Sequence, residues 1–210
     1  MLSGKIKKGV FLHQEIIGYF HDWYYGMYDP KNNIKFVNYL KNDLGNISTE
    51  LLTKSEGELT RVLVEDFSEI VNRHGMLTVC GVPRSKKESS YPYAKMGLKR
   101  AIRAAVQNTM NMVDGMDYIV RHTDTICTHR ARWGYGGLGE RPRQGLLRDT
   151  CFLSSAIAGK DILLVDDIYT PSVGIDEDAI QAVLDCGARS VIFYAVGYTA
   201  RSNNNYRFCA

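Results

Sequence analysis

The sequence lacks the features that mark disulfide-rich, zinc-binding and membrane-spanning proteins. No two cysteines form a C-x-x-C pair, and the five of them are scattered along the chain: Cys80, Cys127, Cys151, Cys186 and Cys209. Such a set indicates reduced thiols rather than a disulfide framework or a zinc knuckle. No run reaches the roughly 18 consecutive apolar residues of a membrane span, and the opening MLSGKIKKGVFLHQ has no long apolar core of a secretory signal. We therefore expect a cytoplasmic protein without membrane attachment.

A strong charge of either sign is also missing. The net charge is +3 over 210 residues, with 45% hydrophobic and 23% charged residues, which is ordinary for a globular protein. That length accommodates one core domain with a smaller appended layer. The mildly basic balance suits an anionic small molecule as well as nucleic acid, and it decides neither.

The composition changes near Gly75. Before it, residues 16–46 are rich in aromatic side chains and turn signals, and a helix follows in which Ser55 and Glu58 have the spacing of a capping box. Its apolar residues recur at helical spacing: Leu59, Val62, Leu63, Phe67, Ile70 and Val71. We predict a helical, aromatic-rich and hood-like appendage over residues 1–75.

Residues 76–210 alternate between short apolar runs and helical periods. The runs are residues 76–82, 118–129, 161–167 and 190–198, with helices expected between the first two and the last two. This alternation predicts an α/β core with a mostly parallel sheet flanked by helices.

Two adjacent carboxylates, Asp166 and Asp167, end the third apolar run and precede a short hydroxylic loop. In an open parallel sheet, ligands bind beyond the carboxyl ends of the strands, where loops run into helix N-termini. Paired carboxylates can accept hydrogen bonds from a vicinal diol, and such a loop can donate to a phosphate. The pattern favours a ribose phosphate site over a solvated acid pair or the acid cluster of another nucleotide-binding fold.

The stretch ILLVDDIYTPSVG, residues 162–174, resembles the phosphoribosyl diphosphate (PRPP) motif of type I phosphoribosyltransferases, in the ComF-like or amidophosphoribosyltransferase-like branch. The resemblance implies that Asp166 and Asp167 hold the ribose hydroxyls. It also implies that the loop after them binds the 5′-phosphate through Thr170, Ser172, Val173 and Gly174.

Two further stretches resemble parts of that family in the same order, so the resemblance spans about residues 76–199. TVCGVPRSKK resembles the pyrophosphate loop, with Pro83, Arg84, Ser85 and Lys86 as substrate-binding candidates. THRARWGYGGLGERPRQGLLRD stands in the place of the catalytic loop, with Arg130 and Arg132 as catalytic candidates beside the acid pair. An ordinary basic surface loop remains the alternative for each.

The resemblance implies exchange of pyrophosphate for a nitrogen nucleophile at C1 of the ribose. It implies Mg²⁺ as cofactor, bound mainly by substrate oxygens. We expect no direct protein ligand to the ion; if there is one, Asp166 and Asp167 are the candidates. The expected partners are PRPP or a nucleotide, together with a second copy of the chain or a partner protein. The arginines of the catalytic loop are also compatible with nucleic acid, without indicating it.

The phosphate loop departs from the family pattern. Pro171 lacks a backbone donor, Gly174 lacks the usual final hydroxyl, and three acids, Asp176, Glu177 and Asp178, occupy the first turn of the next helix. Acids there are expected to compete with a phosphate for the positive helix end. A second hypothesis is therefore a catalytically impaired sensor of PRPP or nucleotide, or a regulatory or effector subunit of a conflict or defence system acting with a partner protein or nucleic acid.

Overall fold

The computed structural model describes residues 1–41, 47–126, 141–171 and 173–200. The strands in these ranges are β1 (Leu2–Ile6), β2 (Ile16–Tyr24), β3 (Leu77–Gly81), β4 (Met112–Asp114), β5 (Ile119–Arg121), β6 (Cys151–Leu153), β7 (Asp161–Tyr169) and β8 (Ser190–Thr199). The α-helices are α1 (Lys35–Lys41), α2 (Thr49–His74), α3 (Gly97–Gln107), α4 (Leu146–Thr150) and α5 (Ile175–Asp185). Single 3₁₀ turns lie at Glu88–Ser90, Tyr93–Lys95 and Ser155–Ile157.

Six strands form the main sheet in the order β1-β2-β8-β7-β3-β4. Every neighbouring pair is parallel except β1 and β2. Gly81, the last residue of β3, pairs with Val165 of β7, and β7 continues to Tyr169 beside β8. The predicted α/β class with a mostly parallel sheet is confirmed.

The central strands are buried on both faces, which explains why their sequences are almost continuously apolar. Leu163 and Val165 of β7 pack in one cluster with α1, α2 and α3, whereas Ile162 and Leu164 pack in a second cluster with α5. The helices predicted around residues 98–110 and 175–184 are α3 and α5.

One of the four predicted strands has a different place. In residues 118–129 the strand covers only Ile119–Arg121 and pairs antiparallel with β6 in a separate two-stranded sheet; residues 127–129 lie outside the described ranges. The short strand β4, which the sequence analysis missed, pairs instead with β3 at the edge of the main sheet. The polar residues from His122 onward give this run no second apolar face, which does not suit a central strand covered on both sides.

The first 75 residues are helical only in part. β2 lies parallel to β8 inside the main sheet, with Phe20 opposite Ala195. Several of the aromatic residues in 16–46 are strand residues: Tyr19 and Phe20 of β2 are buried in the two different core clusters. The main sheet contains strands from both sides of residue 75, since β1 and β2 precede it and the other four strands follow it. A separate N-terminal appendage is therefore not established, and the division at residue 75 stays a prediction.

Helix α2 is the predicted long helix, but its start was predicted wrongly. The N-cap is Ser48, whose side chain accepts a hydrogen bond from the Leu51 N–H at 3.2 Å. Ser55 lies inside the helix and is buried. The end is as predicted: Gly75 has φ 78°, a conformation that favours glycine, and its N–H donates to the Val71 carbonyl at 2.8 Å.

A buried carboxylate links α2 to the sheet. The Tyr194 hydroxyl donates to the Asp66 carboxylate at 2.7 Å, and Nδ1 of His21 lies 2.9 Å from the same oxygen. We expect Asp66→Ala to lower the free energy of unfolding by about 2–3 kcal/mol, because a buried hydroxyl loses its acceptor. Urea unfolding measures this change, with Glu65→Ala, an exposed neighbour on the same helix, as the control. Equal losses in the two variants would show that the buried contact contributes nothing.

Candidate functional site

A cavity of about 330 Å³ lies at the carboxyl ends of β3 and β7, a size within the range of small-molecule sites. Most of the predicted site residues line it: Pro83, Arg84, Ser85, Lys86, Asp166, Asp167, Thr170 and Val173. Gly174 does not line the wall but forms the N-cap of α5. Arg130, Arg132 and Ser172 fall outside the described residues. The parallel pairing of β3 with β7 is what brings the two predicted loops to one cavity.

The acid pair occupies two different environments. Burial, and next the neighbouring charge of Asp167, raise the pKa of Asp166 to about 7. Asp167 instead forms an ion pair, with its Oδ1 2.9 Å from Nζ of Lys41. The mutual repulsion is therefore relieved by protonation at one acid and by a lysine at the other.

A third acid, Asp176 of α5, joins the pair. Its side chain is 5% exposed, lines the cavity and is hydrogen-bonded to the Asp166 carboxyl. Burial, followed by the charge of Asp166, raises the pKa of Asp176 well above its ordinary value, and its Oδ1 has no hydrogen-bond partner in the described part of the chain. Asp166 and Asp176 thus form a hydrogen-bonded carboxyl dyad in which burial and mutual repulsion favour the protonated form.

The other two acids of the first turn serve the fold. The Asp178 carboxylate accepts hydrogen bonds from the N–H groups of Gly145 at 2.5 Å and Leu147 at 2.8 Å, where α4 begins. Glu177 accepts a hydrogen bond from the Tyr169 hydroxyl at 2.6 Å. The expectation that all three acids compete with a phosphate is wrong for these two, because their carboxylates are engaged by neighbouring elements and neither lines the cavity.

Packing accounts for the glycine in the phosphate loop. Gly174 has φ +76°, and a Cβ there would lie 2.5 Å from Cε2 of Phe11 in the β1–β2 connection. A threonine would therefore be both strained and overlapped. One of the two remaining hydroxyls, that of Thr170, lies 2.7 Å from the Thr199 hydroxyl. The glycine at position 174 therefore matches its close packing against Phe11.

The Arg84 guanidinium binds backbone rather than pointing only at the cavity. It donates to the carbonyls of Lys95 at 2.8 Å and Lys41 at 3.1 Å, and it lies over the Tyr91 ring at 4.4 Å from the centroid. These contacts join the loop after β3 to α1 and to the turn before α3. Arg84 therefore has a role in holding this loop that the resemblance did not imply.

The sequence analysis missed three cavity cations, Lys41, Lys95 and Arg121. Arg121 is 7% exposed and donates to the Arg84 carbonyl at 2.5 Å and to the Thr150 hydroxyl at 2.7 Å. Within the described ranges no carboxylate forms an ion pair with it, and burial lowers the pKa of its guanidinium. An arginine inside the apolar run YIVR was a readable signal, whereas nothing in the sequence marks Lys41.

The donor set does not fit a metal ion held by the protein alone. In the described segments no group of three or more His, Cys, Asp or Glu side chains could hold one. Asp166 shares a hydrogen bond with Asp176, and Asp167 is paired with Lys41. The acids already have partners of other kinds.

No family model and no curated protein matches this chain. None of the helices in the described ranges has both the length and the apolar character that crossing a membrane requires. The fold and the cavity define an α/β protein with a mostly parallel sheet and a candidate ligand site at the carboxyl ends of two adjacent central strands.

Proposed function

We propose that this protein is phosphoribosyltransferase-like: it binds PRPP or a 5′-nucleotide and exchanges pyrophosphate for a nitrogen nucleophile at C1 of the ribose. The observation that carries the proposal is the meeting of three motif elements in one cavity. The acid pair, Thr170 and Val173 of the phosphate loop, and residues 83–86 of the pyrophosphate loop all line it.

The distribution of charge supports a ligand with hydroxyls at one end and phosphate groups at the other. Asp166, Asp167 and Asp176 cluster at the end of β7 and the start of α5. Arg121, Lys86 and Lys95 line the same cavity. Among the described residues Arg121 has neutral hydrogen-bond partners but no carboxylate partner, so its buried charge would be stabilised by an anion such as a diphosphate.

The exchange at C1 of the ribose requires little covalent chemistry from the protein. The transition state of such an exchange is oxocarbenium-like, as in glycoside hydrolysis. The acid pair would hold the ribose hydroxyls, the cations would receive the diphosphate, and Arg130 and Arg132 are proposed to approach the reacting centre and exclude water. Magnesium would come bound to the diphosphate oxygens of the substrate, since the carboxyls of the cavity have partners already.

A second candidate is a PRPP or nucleotide sensor, or an effector subunit, that binds without turnover. The phosphate loop favours it: Pro171 has no N–H, the Val173 N–H donates to the Thr170 carbonyl at 3.0 Å, and no side chain other than hydrogen fits at Gly174. Fewer donors remain for a phosphate than in the family pattern. Cytoplasmic location and association with a second copy, a partner protein or nucleic acid stay predictions.

One experiment separates the two candidates. Purified protein is incubated with PRPP and Mg²⁺ and a panel of purine, pyrimidine and amine acceptors, and pyrophosphate release is recorded alongside calorimetric binding of PRPP and AMP. We expect saturable binding, with release for at least one acceptor. Binding without release for every acceptor would favour the sensor. Failure of both PRPP and AMP to bind would show that the site is assigned wrongly.

A further inference from the structure

Lys41 brings a positive charge from the N-terminal part of the chain to the acid pair. It is the last residue of α1, and its Nζ lies 2.9 Å from Oδ1 of Asp167. Both side chains are only 16% exposed, so the pair is weakly screened by solvent. An ion pair at this depth differs from the exposed surface pairs that contribute little.

The position of Lys41 is fixed by packing on two sides. Its carbonyl accepts a hydrogen bond from Nη2 of Arg84 at 3.1 Å. The preceding Leu40 is fully buried and packs so closely on α3 that a Cβ at Gly97 would lie 2.7 Å from its Cδ2. The helix therefore positions the backbone of Lys41 beside Arg84 while its ammonium group pairs with Asp167.

An anionic ligand in this cavity would meet the charges of Asp166, Asp167 and Asp176. In many phosphate sites a divalent cation offsets such repulsion, but the described residues contain no group arranged to hold one. Lys41 supplies an offsetting charge from the chain itself, because its Nζ lies 2.9 Å from Oδ1 of Asp167. One carboxylate oxygen of Asp167 can face the lysine while the other accepts from a ribose hydroxyl.

We propose that Lys41 is the resident counter-cation of the acid pair, and that it lets the cavity bind ribose 5′-monophosphate ligands without a divalent metal ion. The proposal rests on the proposed function. It gives α1 a place in the site and limits the role of the Mg²⁺ that the resemblance implies. The ion would accompany only ligands that carry a diphosphate.

The test uses AMP, which has the vicinal diol and one phosphate but no diphosphate. Calorimetric titrations compare the wild type with Lys41→Met, Lys41→Arg and Lys35→Met, each in excess EDTA and in Mg²⁺. Lys35 is the matched control because it begins the same helix but does not line the cavity. Melting temperatures report whether each variant folds.

The wild type, Lys41→Arg and Lys35→Met should bind AMP in EDTA with affinities within about threefold of those in Mg²⁺. Lys41→Met should lose about tenfold or more in EDTA, equivalent to about 1.4 kcal/mol, and recover part of the loss in Mg²⁺. A wild type that binds AMP only in Mg²⁺, or a folded Lys41→Met variant that matches it in EDTA, would overturn the role of Lys41 while leaving the proposed function standing. If neither AMP nor PRPP binds in either condition, both fail together.

Discussion

The double variant Asp166→Asn, Asp167→Asn should lose measurable binding of PRPP and AMP. A vicinal diol offers two donors, and carboxylates accept from both without offering a competing donor. An asparagine can turn its NH₂ group toward the ligand and carries no charge. Charge-assisted hydrogen bonds are roughly twice as strong as neutral ones, so losing two of them should weaken binding by about a hundredfold or more.

Asp166→Asn alone should make the ligand-free protein more stable above about pH 7. A pKa shift from 3.8 to about 7 corresponds to a cost on the order of 4 kcal/mol when the acid is charged. Asparagine removes that cost and can still hydrogen-bond Asp176. A variant that folds more stably yet binds worse is the signature expected of an acid kept for function.

Calorimetry and thermal melts at about pH 8 measure both effects. Asp185→Asn, which changes an exposed acid near the end of α5, is the control and should alter neither binding nor stability by much. Unchanged ligand affinity in the double variant would remove the acid pair from the site. A lower stability of Asp166→Asn would mean that Asp166 has a favourable partner in the empty cavity.

The sequence was most informative where local pattern and burial agree. The apolar run before Asp166 could only be a strand buried on both faces, and the acids at its end could only emerge at a sheet edge where ligands bind. The α/β alternation did not specify which strands are neighbours; the fold pairs β3 with β7. For this reason the predicted loops share one cavity.

The residues that were missed depend on contacts between distant parts of the chain. Lys41 reaches Asp167 across 126 positions because α1 packs on α3, which no local pattern reveals. β2 was missed for a related reason: its aromatic residues fill two clusters on opposite faces, so they lack the one-sided alternation of an exposed strand. In the sequence, Gly174 stands where a hydroxyl residue is expected, but only the fold shows that the Phe11 ring lies where its Cβ would be.

The acids after Gly174 show how one sequence feature can have three roles. Read along the chain, Asp176, Glu177 and Asp178 form a single negative first turn. In the fold, Asp178 caps α4, Glu177 accepts from Tyr169, and Asp176 faces the cavity. Sequence position gives the charge of a helix end, but only packing decides which neighbour each carboxylate meets.

Asp176→Asn should flatten the dependence of stability on pH between about 4 and 7. In the wild type, the raised pKa of Asp166 means that the folded state binds more protons than the unfolded chain in this window. The stability associated with the dyad is therefore fully present below the ordinary carboxyl pKa and is lost as the pH rises through about 7. Asp167, Lys41 and Glu177 are the other charged groups that act on the two carboxyls.

Asparagine at 176 keeps a neutral hydrogen-bond donor to Asp166 and removes one of the two titrating groups. The gain in unfolding free energy over the wild type should be near zero at about pH 4 and reach a few kcal/mol at about pH 8. Urea unfolding of the two proteins at each pH measures the difference. Other acids contribute equally to both proteins and cancel; one of them is Asp161, whose pKa is lowered to about 2 beside Arg189. A difference that stays constant across the range would show that Asp166 and Asp176 hold no proton between them, and that the repulsion in the empty cavity is relieved through Lys41 alone.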